Sequence, residues 1–460
     1  MIAKKNISVL FFLFICSHLI IWTIVPSVSN LNLPLDTIEA LAWGSNLAWG
    51  YDKHPPLSAI VIQFFYLIFE KNDWAYYLLS QLCVLISFFY IWKLSINFFS
   101  NKIYPLISIL ILESIVFFNY TTPEYNVYVL QLPIKASLVF YFWRSLENDN
   151  ISNWILTGLI SALGILTHYS FVFLILGLFI FFIFFVKKNE KKIYLFILSF
   201  ALFIFFISPH LLWLIDNNYI TIDYALNRSS INTKNFTDHF FNPFVFIFKQ
   251  LGMLIVFLVV FCSLLRLKKL KQSLKSLKDK KSKYLFCVTI LPLIIVFGVS
   301  IVTGAKIRTM WMSSFYLFFG VFFFYHFKDL IDLKKIKNFV YIFLFIFILS
   351  PATYLYISVS NEFKRTDYPG KEIARLVQSR WDDNFSNEIK IVVGDEWSAG
   401  NLSYHLDSRP KWKSDLKSDK SKITDEDGVI YTGNPQILKS ICPGVYGTIK
   451  PVGYCMIGKR

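Results

Sequence analysis

Windows of about 20 apolar residues, the length an α-helix needs to cross the hydrocarbon core of a bilayer, recur along this chain as far as residue 359. We read eleven expected spans, at approximately 7–25, 75–98, 103–118, 126–143, 153–166, 169–186, 193–214, 244–265, 284–302, 309–325 and 339–359. With 55% hydrophobic and only 17% charged residues, the balance excludes an ordinary soluble domain. The predicted fold class is an α-helical polytopic membrane protein with a small α/β domain at its C-terminal end.

The net charge of +16 would suit nucleic acid in a soluble protein, but its placement argues for topology. Lys and Arg gather in alternate connections, at Lys4-Lys5 and within 187–192, 266–283 and 328–337, whereas the intervening connections are poor in them. Cytoplasmic loops carry that excess, which predicts a cytoplasmic N-terminus, no nucleic-acid partner, and a basic run at 266–283 anchored on anionic inner-leaflet lipids. The first span ends near Ser27-Val28-Ser29, which resembles a cleavage site. Its apolar stretch exceeds the roughly 7–15 residues of a signal segment, so an uncleaved helix is expected.

Residues 1–359 form the expected membrane domain, with residues 29–74 as its first outer loop. Residues 360–460 change character, with short β-like runs such as 389–393 and turn signals at Gly394-Asp395, Asp427-Gly428 and Gly433-Asn434-Pro435, as in a small outer domain. Cys16, Cys83, Cys262 and Cys287 fall inside apolar spans and read as small hydrophobes. Cys442 and Cys455 lie in the outer domain, where an oxidising compartment permits a disulfide; spacing alone leaves their pairing open. The chain has no CxxC, HExxH, GxxxxGK[ST] or GxGxxG motif, so the usual soluble metal and nucleotide signatures are missing.

The first outer loop holds the most chemistry. Asp36 and Glu39 are three residues apart, so on a helix their carboxylates share a face. Gly50-Tyr51-Asp52-Lys53-His54-Pro55-Pro56-Leu57 follows, and its tandem prolines are expected to stop that helix and hold Lys53 and His54 on a rigid corner. A carboxylate that accepts a proton beside cations that hold an anion suits group transfer. The plainer alternative is an interfacial amphipathic helix with Trp43 and Trp49 in the headgroup layer.

The D-x-x-E-A-x-x-W-G segment starting at Asp36 and the K-H-P-P-L segment starting at Lys53 resemble the GT-C polytopic glycosyltransferases, specifically the protein O-mannosyltransferase and lipid A aminoarabinose transferase superfamily. The resemblance continues through Pro123-Glu124-Tyr125-Asn126, Gly164-Ile165-Leu166-Thr167-His168-Tyr169, Pro209-His210-Leu211-Leu212-Trp213, Lys306-Ile307-Arg308 and Gly394-Asp395-Glu396-Trp397-Ser398-Ala399-Gly400-Asn401. It implies an enzyme of the bacterial inner membrane that takes a sugar from a polyprenyl-phosphate donor, with the C-terminal domain in the periplasm.

The same resemblance implies the roles. Asp36 corresponds to the catalytic carboxylate, a general base for the acceptor, and Glu39 to its companion. Donor phosphate would meet Lys53, His54, His168, Lys306 and Arg308. Acceptor or sugar contacts would come from Glu124, Asn126, His210 and Arg228, although Asn126 also suits a helix cap and the two histidines suit structural roles. Lys53 stands where relatives commonly carry an acid, so a divalent metal stays an open cofactor question.

Glu113 and Lys135 fall inside consecutive spans, and ionisable groups there usually face a cavity or each other; the expectation is a structural ion pair. The implied reaction inverts the anomeric centre and modifies an envelope acceptor such as lipid A. A protein O-mannosyltransferase, a lipid or sugar transporter or flippase, and a membrane-anchored binding protein are the rival readings; a transporter would more often show internal repeats, and none is evident.

Overall fold

The computed structural model describes residues 4–230, 235–266, 279–414, 425–449 and 452–460. Of the basic run 266–283, residues 267–278 lie outside the described residues. Helix α1 (Lys4–Ser29) runs unbroken through the Ser27–Ser29 segment, and after α2 (Leu35–Ser45) and α3 (Leu57–Phe69) the chain enters α4 (Asp73–Phe98). At about 1.5 Å per residue, the 26 residues of α4 reach roughly 39 Å, enough to cross the roughly 30 Å hydrocarbon core. Helices α5 (Ile103–Leu110), α6 (Val127–Asn148), α7 (Ile151–Thr167), α8 (Val172–Phe185) and α9 (Glu190–Asp216) continue the bundle. It is completed by α10 (Ile220–Arg228), α11 (Asp238–Ser263), α12 (Lys280–Thr289), α13 (Leu291–Thr303), α14 (Phe319–His326) and α15 (Ile336–Ser360). Asn side chains cap α6, α7 and α9 by accepting backbone N–H bonds, and the Asn126 cap coincides with the expected start of its span.

Helical structure occupies every expected span, but among the described residues only six helices are long and apolar enough to cross a membrane alone. Two expected spans are corrected outright. The segment 103–118 is α5 followed by 3-10 turns at Ile111–Ser114 and Val116–Phe118, and 309–325 is a 3-10 run, Thr309–Tyr316, leading into α14. Hydropathy cannot see this difference, because it counts apolar residues and not hydrogen bonds. Irregular backbone survives at membrane depth only where protein covers it, and residues 111–114 and 312–316 are indeed buried. Tight helix contacts hold the rest together: a Cβ at Gly158 of α7 would collide with the Ser199 carbonyl of α9.

The expected Glu113–Lys135 pair does not form. Glu113 Oε1 lies 2.7 Å from His18 Nδ1 of α1 with both side chains buried, because the 3-10 turn at residue 113 aims the carboxylate toward α1 and away from α6.

Beyond α15 the chain folds into α16 (Gly370–Asp382), β1 (Ile391–Val393), α17 (Ser398–His405), β2 (Lys411–Lys413), β3 (Val429–Gly433), α18 (Pro435–Ile441), β4 (Val445–Ile449) and β5 (Val452–Ile457). The five-stranded sheet has the order β2-β1-β3-β5-β4. Strand β1 runs parallel to β2 and β3, and β5 antiparallel to β3 and β4. Cys442, just after α18, is joined to Cys455 of β5 by a disulfide.

This α/β layer sits directly on α2. Gly400 of α17 faces Ala42 and Ile38, where a Cβ would come within 3.1 and 3.2 Å. Asn32 Nδ2 donates to Asn401 Oδ1 at 2.8 Å, Arg409 Nη2 to the Leu41 carbonyl at 2.6 Å, and the Trp412 N–H to Ser45 Oγ at 2.8 Å. Thr37 through Gly44 are therefore buried. The interfacial-helix alternative fails at Trp43, which is 2% exposed. The prolines also act differently than expected: α2 ends at Ser45, and Pro56 caps the start of α3.

Candidate active site

Two helix N-termini meet at the base of the site. Asp36 lies in the first turn of α2, where a carboxylate faces the positive end of the helix dipole. Its own N–H donates to Glu124 Oε1 at 3.0 Å. Asn126 caps α6 through Oδ1, accepting from the Tyr128 and Val129 N–H groups at 3.0 Å each, while its amide donates to Asp36 Oδ2 at 3.4 Å. The cap and the site contact, which the sequence left as alternatives for Asn126, are thus made by two atoms of one side chain.

The Lys53-His54 corner is fixed from behind. The Tyr51 N–H donates to the His54 carbonyl at 3.0 Å, the Tyr51 hydroxyl to the Trp43 carbonyl at 3.0 Å, and Thr221 Oγ1 to the Tyr51 carbonyl at 2.5 Å. Gly50 is required here, since a Cβ would overlap the Trp213 ring. Lys53 Nζ then bridges two carboxylates, 2.5 Å from Glu39 Oε2 and 2.9 Å from Glu396 Oε1. Desolvation alone would lower the Lys53 ammonium, but Glu39 and Glu396 outweigh it and hold it above its ordinary value. Among the described residues there is no group of three or more His, Cys, Asp or Glu side chains suited to a metal ion, and the chain's own ammonium already sits between these two acids.

Around this base lies a cavity of about 390 Å³. Asp36, Glu39, Lys53, His54, Glu124, His168, Arg228 and Arg308 all line it, and Asn126 touches its floor through Asp36. Two expected residues stand apart. Lys306 is exposed, and among the described residues it contributes only a backbone N–H, to the Ser229 carbonyl at 3.0 Å. His210 is buried, with Nδ1 2.6 Å from the Trp49 carbonyl and Nε2 2.8 Å from the Tyr169 hydroxyl; both ring nitrogens are spent on structure. The sequence reading missed Arg365, Tyr224, Met310 and Trp311, which also line the cavity, and the role of Glu396 beside Lys53. Arg365 was findable as a basic residue soon after the last span's end, and Glu396 stood within the 394–401 motif.

Electrostatics divide the cavity. Burial raises the Asp36 carboxyl above its ordinary range, and Lys53, the Asn126 amide, Arg365 and Arg228 pull it back. Burial and the Asp36 charge push Glu124 up to about 8, so near neutrality Glu124 keeps its proton more readily than an ordinary carboxyl. Burial also lowers the His54 and His168 imidazoles, His168 to about 3. Their rings lie 5.3 Å apart, and at neutral pH both are uncharged hydrogen-bonding groups. The positive charge around Asp36 therefore comes from Lys53, held between Glu39 and Glu396, together with Arg228, Arg308 and Arg365.

Beneath His168 runs a buried polar chain. Lys135 Nζ donates to Ser314 Oγ at 2.7 Å, Ser314 Oγ to Gln131 Oε1 at 2.9 Å, and Gln131 Nε2 to the His168 carbonyl at 3.2 Å. The Lys135 ammonium also lies 3.8 Å from the Phe315 ring centroid. Lys135 thus finds its partners on the 3-10 run 309–316 and holds the backbone of a cavity-lining histidine. Lys135→Met should lower turnover at saturating donor by on the order of tenfold to a hundredfold, as a displacement of about 1 Å can. Steady-state kcat checks this; an unchanged kcat in a stably inserted variant contradicts the positioning role.

The fold has close counterparts among solved structures. The crystal structure of ArnT from Cupriavidus metallidurans bound to undecaprenyl phosphate matches with a TM-score of 0.62 over 98% of both chains, at 11% sequence identity. This is the GT-C glycosyltransferase fold. The apo-state crystal structure of the same ArnT matches equally well, with a TM-score of 0.62, 11% identity and 98% of each chain covered. Residues 53–213 match the family model for dolichyl-phosphate-mannose-protein mannosyltransferases. That segment opens on Lys53 and includes Glu124, Asn126 and His168. Sequence comparison with curated proteins finds no match. The matched fold spans nearly the whole chain, and the family segment lies within it.

Proposed function

We propose that the chain transfers a sugar from a polyprenyl-phosphate donor to an envelope acceptor, with lipid A the first candidate, at the periplasmic face of a bacterial inner membrane. One observation carries this reading: a half-buried carboxylate, Asp36, lines a single cavity together with Lys53, Arg228, Arg308 and Arg365. The similar ArnT fold has been crystallised bound to undecaprenyl phosphate, which supports a donor of that class.

In the proposed reaction the acceptor oxygen attacks the anomeric carbon as its proton passes to Asp36. The new carbon–oxygen bond forms as the bond to the donor phosphate breaks. Phosphate leaves with the electron pair, and its charge is met by the guanidinium groups, whose paired donors match phosphate oxygens. Neutral His54 and His168 donate or accept hydrogen bonds at that phosphate. Attack opposite the leaving group inverts the anomeric centre. Glu124, protonated near neutrality, positions Asp36 and the acceptor. The donor tail lies between helices, and the cytoplasmic N-terminus follows from the basic connections.

Mass spectrometry of envelope lipids from cells with and without the protein tests the proposal. A hexose, amino-pentose or amino-hexose increment on a lipid, present only with the protein, is expected; an increment on a protein hydroxyl instead would favour the mannosyltransferase-type acceptor. No covalent change in any glycan, with the protein inserted, would favour transport.

The pH dependence has a definite sign. Asp36 must be ionised to take the proton, and its affinity for protons is raised, so kcat/KM should fall as pH drops through a limb above the ordinary carboxylate range. Arg365→Gln removes a cation that favours ionisation and should move that limb to higher pH. A limb unmoved, or moved downward, in a pH–kcat/KM profile contradicts the assignment.

A further inference from the structure

A second polar cavity, of about 400 Å³, lies where the C-terminal ends of α4 and α6 meet the start of α7. Its polar lining is Lys93, Asn97, Arg144 and Asn153, and no carboxylate takes part. Arg144 is half-buried, and among the described residues nothing accepts a hydrogen bond from its guanidinium. The Asn153 side-chain amide is likewise without a partner among the described residues. Lys93 makes no ion pair there either; its ammonium rests 5.3 Å from the Phe89 ring centroid. Glu147, one turn beyond Arg144, is exposed and forms no ion pair with it.

The location adds a second constraint. Asn126, at the catalytic cavity, and Arg144 stand toward opposite ends of α6; their separation of 18 positions corresponds to about 27 Å of helix. That is close to the thickness of the hydrocarbon core, so the second cavity opens at the other membrane face. An aromatic wall of Tyr90, Phe140 and Tyr141, with ring centroids 5.3 to 5.7 Å apart, runs from it toward the bilayer interior, and Ile96 beside it is exposed. The Arg144 guanidinium, the Lys93 ammonium and the Asn153 amide, donors without acceptors among the described residues and set above an aromatic wall, match a phosphate that carries acyl chains, while the Asn97 amide is spent on the Lys93 carbonyl; basic cavities between helices at this depth hold anionic lipid headgroups.

We propose that this cavity binds the phosphate headgroup of an anionic phospholipid, with Arg144 and Lys93 holding the phosphoryl oxygens and the aromatic wall receiving an acyl chain. The site is separate from the catalytic cavity and does not depend on the reaction proposed there.

Native mass spectrometry and thermal unfolding of the full-length protein in detergent, with added phosphatidylglycerol, phosphatidylcholine or inorganic phosphate, test it. Phosphatidylglycerol is expected to give a retained adduct and to raise Tm by a few degrees, whereas phosphatidylcholine should do neither. Arg144→Gln with Lys93→Gln should lose both effects while keeping the parent Tm in detergent alone. Arg144→Lys, which keeps the charge and loses the fork, should retain part of the effect and serves where the double variant fails to fold. Equal stabilisation by phosphatidylcholine, or full retention in both variants, would overturn the proposal. Inorganic phosphate reproducing the whole effect would assign the site to free phosphate and overturn the lipid.

Discussion

Asp36→Asn is expected to lower kcat by roughly 10²- to 10⁴-fold, the range that a positioned general base supplies, equivalent to about 2.7–5.5 kcal/mol of barrier. The amide keeps the size of the side chain and leaves the backbone bond to Glu124 in place, so the protein should insert normally and donor affinity should be retained. What the variant lacks is a group that can take the acceptor's proton. Raising the pH cannot restore one, so the loss should persist across the whole alkaline range, unlike the part of the Arg365→Gln loss that comes from the shifted Asp36 limb, which a higher pH should repair. Single-turnover rates at saturating donor distinguish the two variants. A near-normal rate for Asp36→Asn would remove Asp36 from the chemistry.

The second large effect is structural. Lys53→Met leaves Glu39 and Glu396 facing each other without the ammonium that lies within 2.9 Å of both. Breaking a buried ion pair by removing one partner costs about 3–5 kcal/mol, and the partial exposure of Lys53, 23%, places this case near the lower end. Because Glu39 belongs to α2 and Glu396 lies just before α17, the repulsion acts across the seam between the helical bundle and the α/β layer. The expected result is a Tm several degrees lower and faster proteolysis after residue 360. Adding Glu396→Gln should recover most of the loss. If Lys53→Met unfolds like the parent, the bridge does not hold that seam.

Much of the helical scaffold was legible from residue type alone, because apolar runs and Asn caps are local signals. The long spans and the boundary at Asn126 follow directly from them, whereas α7 starts after the Asn150 cap, ahead of the expected 153. The breaks at residues 111–118 and 309–316 were not legible. They lie inside windows that are apolar overall, and the burial of residues 111–114 and 312–316 by the surrounding helices is a tertiary property that no local window shows. The same limit explains the Glu113 error: Lys135 is a plausible partner by span order, but the partner that forms, His18, is 95 residues away.

At the site, Asp36, Glu39, Lys53 and His54 could be grouped because they lie in one short loop. Arg365 and Glu396 come from more than 300 residues further along and reach the cavity only because the α/β layer folds back over α2. Lys306 and His210 carried suitable chemistry in suitable loops, yet a one-residue change of direction turns one to solvent, and two hydrogen bonds commit the other to Trp49 and Tyr169. Sequence proximity found the base of the site, and chain folding supplied its far wall.

The placement of α2 between α3 and α17 also determines which side of the cavity can yield. Asp36 and Glu39 ride on a helix clamped by Gly400, Asn401 and Arg409, so this half behaves as an anvil. The opposite half is built on α10, whose Arg228 is exposed and which is attached mainly through Thr221 to the Tyr51 carbonyl and through Ser229 to Lys306. In the proposed reaction the exposed side chain of Arg228 can therefore adjust its rotamer to the phosphate while the carboxylate of Asp36 stays in place.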